Sequence, residues 1–449
     1  MNDRHVKRYA AYKESGVEWI GGVPAHWEVK RLKELGKIQN SNVDKKTHPD
    51  EKAVRLCNYV DVYKNEFINS RLLQEFMLAT ADESEIKKFA VKQNDVLITK
   101  DSETADDIAI PALVTETLTG VLYGYHLAQI RTNSKKLFGP YLFRLFQSNS
   151  YNSRFEVSAK GITRVGLGQS AISDALTPVP PLPEQPAIAA YLDAKTAQID
   201  LQVELLSKKA TQYGKLKQSL INETVTRGLN RSVSMKKSGV EWIGEVPAHW
   251  EVKRIKELYV ESKMKSLTGD EVLLSVSEYT GVTQKQDNIG EDEFITHAES
   301  LIGYKICNKG DLVINIMLAW KCGLGVSPYC GIVSPSYAVY SHKRNLSSSF
   351  FHYRFRNEDA IAEFKRNSTG IIESRLRLYS DSFFALSIAI PPFEEQAAIA
   401  AYLDEKTAQI DRIVSTINTQ IDKLKELRKT LINDVVTGKI KVIPEGELA

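Results

Sequence analysis

Apolar residues recur at spacings of three, four or seven positions in two long stretches of the chain. The recurring positions are Ile188, Leu192, Ile199, Val203 and Leu206 in the first stretch, and Ile399, Leu403, Ile410, Val414 and Ile417 in the second. This spacing predicts two helices of about 40 residues, each roughly 60 Å long. A lone helix of that length cannot bury its apolar stripe. The pattern therefore predicts that the two helices pair as a coiled coil.

The stretches before these helices show shorter patterns. Runs of apolar and β-branched residues predict strands at 54–60, 95–99, 272–276 and 311–316. Helical spacing of Tyr141, Leu142, Leu145 and Phe146 predicts a helix at 140–156. The runs at 95–99 and 311–316 occupy matching places, so the two stretches are expected to share a fold.

Two segments of the chain occur twice. Ser15–Leu35 and Ser238–Leu258, here called the lead segments, differ at two positions, and Pro180–Asp200 is repeated by Pro391–Asp411 at the start of the second helix. The second lead segment directly follows the first helix. The first lead segment is therefore expected beside the end of the second helix, which gives a closed molecule with a pseudo-two-fold axis.

The repeats predict an α+β fold class. We expect two globular α/β domains separated by two long antiparallel coiled-coil helices, with a pseudo-two-fold internal repeat. The predicted parts are a lead part at 1–35, a first variable insert at 36–178, a first helix at 179–229, a linker with the second lead at 230–258, a second variable insert at 259–390, and the second helix with a tail at 391–449.

Composition narrows the class of protein. The chain is 43% hydrophobic and 26% charged, which is typical of a globular domain. It has no apolar run near the ~20 residues of a membrane span and no signal peptide, so we expect a cytoplasmic protein without a membrane partner. The four cysteines suit a reducing compartment and contain no C-x-x-C pair, so no structural metal is predicted.

The net charge of +3 says little, but the basic residues are unevenly distributed. Residues 131–169 contain seven Lys/Arg against one acidic residue, and residues 342–377 contain eight against four. Both stretches also carry aromatic residues. Clustered positive charge indicates a nucleic-acid partner, whereas a single such stretch is more typical of a solvated helix face with its aromatic residues in the core. Because the bias recurs at the same place in both inserts, we favour a partner with a phosphate backbone. Two such modules at opposite ends of long antiparallel helices could reach successive grooves of one double-stranded DNA.

Candidate DNA-binding residues follow from these two stretches, because Arg and Lys bind phosphates while Arg, Gln and Asn read base edges. The candidates are Arg144, Arg154, Lys160, Thr163, Arg164 and Gln169 in the first insert, and Arg354, Arg356, Lys365, Arg366, Asn367, Arg375 and Arg377 in the second.

No catalytic motif accompanies them. The chain contains no P-loop, no G-x-G-x-x-G after a strand and no H-E-x-x-H. Asp101, Glu103, Asp106 and Asp107 offer oxygen ligands for Mg²⁺, but a solvated acidic loop is the simpler interpretation. We therefore expect a binding subunit with no catalytic residue, metal or cofactor of its own.

At the doubled SGVEWIG-x-VP-x-HW segments and the doubled PP-x-x-EQ-x-AIAAYLD and KTAQID segments, the chain resembles the specificity subunit of type I restriction–modification systems. The resemblance spans the whole chain. It implies that 36–178 and 259–390 are target-recognition domains, each reading one half of a bipartite asymmetric DNA site, and that the helices set the spacer. Pro183 and Pro186 depart from the second copy, which has Glu394 and Ala397, and could alter the first helical turn.

The resemblance also implies partners. Two methyltransferase (modification) subunits would dock on the helices and bind S-adenosylmethionine for adenine-N6 methylation. Two motor-nuclease (restriction) subunits using ATP and Mg²⁺ would complete the enzyme. Two alternatives stay open: a coiled-coil interaction scaffold or anti-restriction mimic without sequence-specific DNA binding, and a self-contained nuclease, for which we find no metal-binding acidic cluster.

Overall fold

The computed structural model describes residues 8–285, 300–343 and 345–442. The chain divides into two compact units: unit 1 comprises residues 1–206 and 419–449, and unit 2 comprises residues 207–418. Each unit therefore combines the first part of one long helix with the last part of the other.

The strands of unit 1 are β1 (Tyr12–Glu14), β2 (Gly22–Pro24), β3 (Glu28–Arg31), β4 (Gly36–Asn40), β5 (Lys52–Cys57), β6 (Phe67–Ile68), β7 (Met77–Ala81), β8 (Val96–Thr99), β9 (Asp101–Ser102), β10 (Pro111–Val114), β11 (Val121–Tyr123), β12 (Leu127–Thr132), β13 (Val165–Gly166) and β14 (Leu176–Val179). Its helices are α1 (Tyr59–Lys64), α2 (Glu83–Phe89), α3 (Gly139–Phe146), α4 (Asn149–Ser158), α5 (Gln169–Ser173) and the first part of α6 (Glu184–Arg227).

The strands of unit 2 are β15 (Met235–Lys237), β16 (Glu245–Pro247), β17 (Glu251–Arg254), β18 (Tyr259–Glu261), β19 (Leu274–Ser277), β20 (Gly281–Gln284), β21 (Lys305–Cys307), β22 (Leu312–Asn315), β23 (Leu324–Val326), β24 (Gly331–Val333), β25 (Tyr337–His342) and β26 (Ser387–Ile390). Its helices are α7 (Ile255–Leu258), α8 (Ser348–Phe355), α9 (Glu358–Arg366), α10 (Ser380–Ala385) and the first part of α11 (Phe393–Val436). The mixed helix and strand content with long helices confirms the predicted α+β class.

The two inserts contain the same antiparallel sheet despite their different sequences. Strand order β4-β12-β8-β10 in unit 1 corresponds to β18-β25-β22-β23 in unit 2, and unit 1 adds β6 at its edge. The central strands also begin alike, because Asp95 accepts a hydrogen bond from the Lys92 N–H (2.7 Å) and Asp311 accepts one from the Asn308 N–H (2.8 Å). The prediction that the inserts share a fold is confirmed for this sheet.

The doubled segments form one clasp in each unit. The Trp27 indole N–H donates to Glu184 Oε2 (3.1 Å), and the Trp250 N–H donates to Glu395 Oε2 (3.2 Å). A histidine of each lead segment lies 2.7 Å from the same carboxylate. Both indole rings are fully buried. The lead segment is thus fixed to the helix start by an apolar ring and a charged acceptor together.

The neighbouring glutamines explain the rest of the repeated motif. Gln185 Nε2 donates to the Pro180 carbonyl (2.8 Å) and Gln396 Nε2 to the Pro391 carbonyl (2.9 Å). Their Oε1 atoms accept from the backbone N–H groups of Phe138 and Ser347, which start the helices of each insert. Both amides are buried, so each of these hydrogen bonds satisfies a group that water cannot reach.

The ends of the long helices lie where the repeat predicts. In unit 1 the Tyr12 hydroxyl donates to the Gly438 carbonyl (3.1 Å), and Val435 packs in one core with Trp27. In unit 2 Val225, near the end of α6, packs in one core with Trp250. The expected position of the first lead segment beside the end of the second helix is therefore confirmed.

Within each unit the parts of α6 and α11 run antiparallel. In unit 1 Arg428 Nε lies 3.0 Å from Asp200 Oδ1, and in unit 2 Lys217 Nζ lies 2.7 Å from Asp411 Oδ1. The two ion pairs are equivalent, because they occupy corresponding positions in the two copies of the helix repeat. Such pairs at a solvated surface contribute about 0–1 kcal/mol, so the register depends mainly on the apolar positions.

Most of the predicted seam is buried. Ile188, Leu192, Ile199, Ile399, Leu403, Ile410 and Ile417 are buried, while Val203, Leu206 and Val414 are half-buried. Helix α6 begins at Glu184, after Pro183, whereas α11 begins at Phe393, two residues earlier in the repeat. The extra proline of the first copy therefore shortens the first turn without preventing the helix.

Two local predictions are wrong. The strand predicted at 54–60 ends at Cys57, because Asn58 and Asp61 cap the start of α1 instead. The single helix predicted at 140–156 is two helices, α3 and α4, separated at Gln147 and Ser148. No helix in the described part of the chain has the length and apolar character to cross a membrane.

Candidate nucleic-acid interface

Each insert ends in a loop with the same backbone connections, here called loop 1 (residues 159–168) and loop 2 (residues 367–379). An antiparallel bridge closes each loop, Lys160 with Gly166 and Thr369 with Arg377. The next residue of each loop then donates to the end of the central strand region: the Leu167 N–H to the Lys100 carbonyl (2.8 Å) and the Leu378 N–H to the Ile316 carbonyl (2.9 Å).

Loop 1 brings together three of the predicted residues. Lys160, Thr163 and Arg164 are all exposed on it, and no other residue of loop 1 is charged. Gln169 is exposed at the start of α5, where its Nε2 donates to the Ile38 carbonyl (3.3 Å). Loop 1 is therefore a cationic projection whose charged side chains are available to a phosphate backbone.

Loop 2 contains three of the predicted residues: Asn367 is half-buried, whereas Arg375 and Arg377 are exposed. Lys365 and Arg366 are exposed at the end of α9, where Lys365 Nζ contacts Glu373 (2.6 Å) and Arg366 Nε contacts Glu363 (2.9 Å). The Asn367 amide also donates to Glu363 Oε1 (2.8 Å).

Arg144 and Arg354 are buried, which corrects their prediction as DNA contacts. Each side chain is only 1–2% exposed. Arg144 donates to Asp193 (2.7 Å) at the start of α6, and Arg354 donates to Asn357 (3.1 Å). Burial lowers the pKa of Arg354 to about 10, because the charged form is the costlier one to desolvate. Both arginines hold a helix of the insert in place, and we remove them from the candidate interface.

Arg154 and Arg356 are also engaged within the protein. Arg356 donates to the backbone carbonyls of Cys322 (3.0 Å), Leu324 and Tyr279 (2.8 Å), which ties α8 to β23 and to the turn before β20. Arg154 is half-buried with its guanidinium over the Phe155 ring. Burial lowers the pKa of both groups. Neither side chain extends from the surface as those of the loops do.

A mutation separates the two kinds of arginine. Arg144→Ala is expected to lower the free energy of unfolding by about 2 kcal/mol, because it removes hydrogen bonds of a buried charged group. It should leave DNA affinity and its salt dependence unchanged below the unfolding temperature. Arg164→Ala should leave the free energy of unfolding unchanged and should lower the DNA affinity and its salt dependence. Chemical denaturation and a DNA-binding titration on both variants test this, and a loss of DNA affinity in the folded Arg144→Ala protein would restore Arg144 to the interface.

A cavity at the foot of loop 1 was not predicted. Its volume is about 190 Å³, and its walls include Tyr59, Tyr63, Asp101, His126 and Arg164. Asp101 accepts from Lys100 Nζ (2.7 Å) and lies 3.0 Å from His126 Nδ1. The acidic loop singled out in the sequence is thus partly neutralised by its neighbours. In the described part of the chain, no three His, Cys, Asp or Glu side chains are grouped to hold a metal ion.

Unit 2 has larger cavities beside α8. Two spaces of about 500 and 890 Å³ share His352 and Tyr353 as walls. Burial, and then the nearby Arg356 charge, lower the pKa of His352 to about 4. Tyr353 donates its hydroxyl proton to Asp404 on α11 (2.7 Å). No sequence motif indicated these cavities, because the strand, helix and turn residues that line them are far apart along the chain.

Two inserts that share a sheet and each present an exposed cationic loop are typical of a DNA-recognition protein. Comparisons with known proteins agree with this class. Residues 24–208 match the family model described as "Type I restriction modification DNA specificity domain". The resemblance to specificity subunits predicted from the doubled motifs is therefore confirmed.

Particular relatives cover nearly the whole chain. It is 25% identical to the putative type I restriction enzyme MjaX specificity subunit of Methanocaldococcus jannaschii, over 96% of this chain and 98% of the relative. It is 23% identical to the MjaVIII specificity subunit of the same organism, over 96% and 97%.

Solved structures show the same fold. One chain from a study titled as the structural basis of complex assembly and conformational transition of the type I R-M system has a TM-score of 0.67 at 16% identity, covering 92% of this chain and 98% of that one. The crystal structure of the HsdS subunit from Thermoanaerobacter tengcongensis has a TM-score of 0.53 at 17% identity, covering 93% and 98%.

Proposed function

We propose that this chain is the sequence-specific DNA-binding specificity subunit of a type I restriction–modification enzyme. The observation that carries the proposal is the pair of equivalent inserts, each of which ends in an exposed cationic loop at the same place relative to a common sheet. Two inserts that share an architecture but differ in sequence are expected to recognise a bipartite DNA site whose two halves differ. The names of the relatives support the same assignment.

In this proposal the two inserts are target-recognition domains. Lys160 and Arg164 bind phosphates of one half-site, and Arg375 and Arg377 bind those of the other, because exposed Lys and Arg neutralise the phosphate backbone. Thr163 and Gln169 lie on the same loop or next to it and supply hydrogen-bonding groups for base edges. Among the described residues, neither Lys160 nor Arg164 forms an ion pair with a carboxylate, so binding DNA requires little rearrangement of loop 1.

The long helices are the proposed spacer. At 44 residues each and 1.5 Å per residue, α6 and α11 extend about 66 Å. As an antiparallel coiled coil they would fix the distance between the two half-sites. The matching ion pairs and clasps support a frame with two equivalent docking places, and we propose that two methyltransferase subunits occupy them.

We propose that the chain itself is not catalytic. S-adenosylmethionine, ATP and Mg²⁺ would be bound by the methyltransferase and motor-nuclease subunits, and the assembled enzyme would work in the cytoplasm. A protein scaffold or a DNA mimic is less well supported, because a mimic requires an acidic surface where these loops present arginine and lysine.

Charge neutralisation of the loops tests the proposal. The Lys160→Ala/Arg164→Ala and Arg375→Ala/Arg377→Ala proteins are each expected to bind random-sequence duplex DNA at least ~10-fold more weakly. Each should also lower the slope of log affinity against log salt by up to about 1.8, the value for two lost phosphate contacts. Titrations at a series of salt concentrations measure both quantities.

A matched control is Lys87→Ala/Arg71→Ala, which removes one exposed lysine and one exposed arginine of unit 1 outside loop 1. It should leave the slope unchanged. Wild-type affinity and slope in both loop variants would show that the loops are not the DNA interface. Absence of DNA binding by the wild-type chain with its methyltransferase subunits would favour the scaffold.

A further inference from the structure

One isoleucine stands at the tip of each cationic loop with its whole side chain in solvent. Ile162 of loop 1 has an exposed fraction of 104%, and Ile371 of loop 2 has one of 100%. Single exposed apolar residues are common on protein surfaces and need no explanation by themselves. Two of them at equivalent places in inserts of different sequence do need one.

The backbone around each isoleucine is built in the same way. Each follows a glycine directly and lies inside the bridge that closes its loop. A Cβ atom at Gly161 would lie 1.8 Å from the Arg164 carbonyl oxygen, and one at Gly370 would lie 2.6 Å from the Arg375 carbonyl oxygen. Only glycine permits this close crossing of the chain. The isoleucines are therefore held outward by a compact turn rather than by a long free loop.

The charges around each tip point to its occupant. Lys160 and Arg164 flank Ile162, and Arg375 and Arg377 follow Ile371, all exposed. The one acidic residue of loop 2, Glu373, is paired with Lys365 Nζ (2.6 Å). A partner that covers the apolar tip must also accept several cations at its edge. Duplex DNA does so, because its phosphates border grooves whose floor offers apolar contacts: thymine methyl groups in the major groove and the base steps themselves in the minor groove.

We propose that Ile162 and Ile371 are the apolar base-contacting tips of the two loops, each entering a groove at its own half-site while the flanking cations bind phosphates. This inference rests on the proposed function and names the residues that add sequence selectivity to it. The contact is apolar, so it contributes to discrimination between base pairs and not to the salt dependence of binding.

The test uses the full chain assembled with its methyltransferase subunits. Ile162→Ala and Ile371→Ala are compared with Val157→Ala and Leu267→Ala, whose side chains are 80% and 87% exposed outside the loop tips. Sequencing of methylated adenines first defines the two half-sites. Binding to that site and to random duplex is then titrated for each variant.

Each tip variant is expected to bind the specific site on the order of tenfold more weakly, with random-duplex affinity and salt slope unchanged. Its methylated sites should become degenerate in one half only, a different half for each isoleucine. The two control variants should match the wild type. Replacing individual thymines of a half-site by deoxyuridine, which lacks the methyl group, or inverting individual base pairs should affect the wild type more than the corresponding tip variant.

Wild-type specific affinity and an unchanged methylation pattern in both tip variants would overturn the inference. The inference would also be overturned if the tip variants lost their methyltransferase subunits but kept their sequence-specific DNA binding, since the tips would then be protein-docking residues. Failure of the proposed function would look different: the wild-type complex itself would show no preference for any sequence.

Discussion

Replacing Trp27 or Trp250 by alanine is expected to cost about 3–5 kcal/mol of the free energy of unfolding, the largest effect of any single substitution considered for this protein. Each indole ring is fully buried in the core of its unit. Each also donates to a glutamate in the first turn of a long helix. The alanine variant therefore leaves a large cavity and a carboxylate deprived of one of its donors.

Trp19→Ala is the matched control, because Trp19 belongs to the same lead segment and is 42% exposed. It should cost less than about 1 kcal/mol. Urea denaturation followed by circular dichroism gives both values. If Trp27→Ala were no more destabilising than Trp19→Ala, the lead segment would not be the clasp that the structure indicates.

Acidification from pH 6.5 to 4 is expected to destabilise unit 2 through His352. Its ring fills the space beside two glycines, since a Cβ at Gly281 would lie 2.9 Å and one at Gly325 3.3 Å from its Cε1. Burial and the Arg356 charge lower its pKa from 6.5 to about 4 in the folded chain. Between these values the unfolded chain binds the proton and the folded chain does not.

Stability from this histidine is therefore complete above pH 6.5 and is lost as the pH falls towards 4, by up to about 3 kcal/mol. His352→Asn should remove this part of the pH dependence, while His342→Gln, which replaces an exposed histidine of the same unit, should retain it. Denaturation at pH 7, 5.5 and 4.5 measures the difference between each variant and the wild type. A constant difference between His352→Asn and the wild type across these values would contradict the assignment.

Local and periodic features could be predicted from the sequence. The doubled segments indicated the internal repeat, because similar sequences favour similar surroundings. The position of the first lead segment beside the end of α11 followed from that repeat alone. The 3.6-residue period predicted both long helices, since one buried stripe determines which residues of a helix face inward.

The candidate site was less predictable, because charge along a chain does not state which side chains reach solvent. Arg144 and Arg164 belong to the same basic stretch. Arg144 is buried because α3 packs beside α6, where Asp193 meets its guanidinium, whereas Arg164 lies on loop 1 and is exposed. In the second insert Arg354 and Arg375 divide in the same way. Asp193 is distant from Arg144 in sequence, so no local pattern shows their contact.

The sequence by itself determined the frame of this protein: two copies of a lead segment and a long helix, with a different insert in each. Its pattern sufficed because amphipathic periods and exact repeats are local properties. Only the tertiary structure decided which basic residues are exposed, and that two isoleucines stand at the tips of equivalent loops. Exposure depends on packing between segments far apart in the chain, and that packing has no signature within either segment alone.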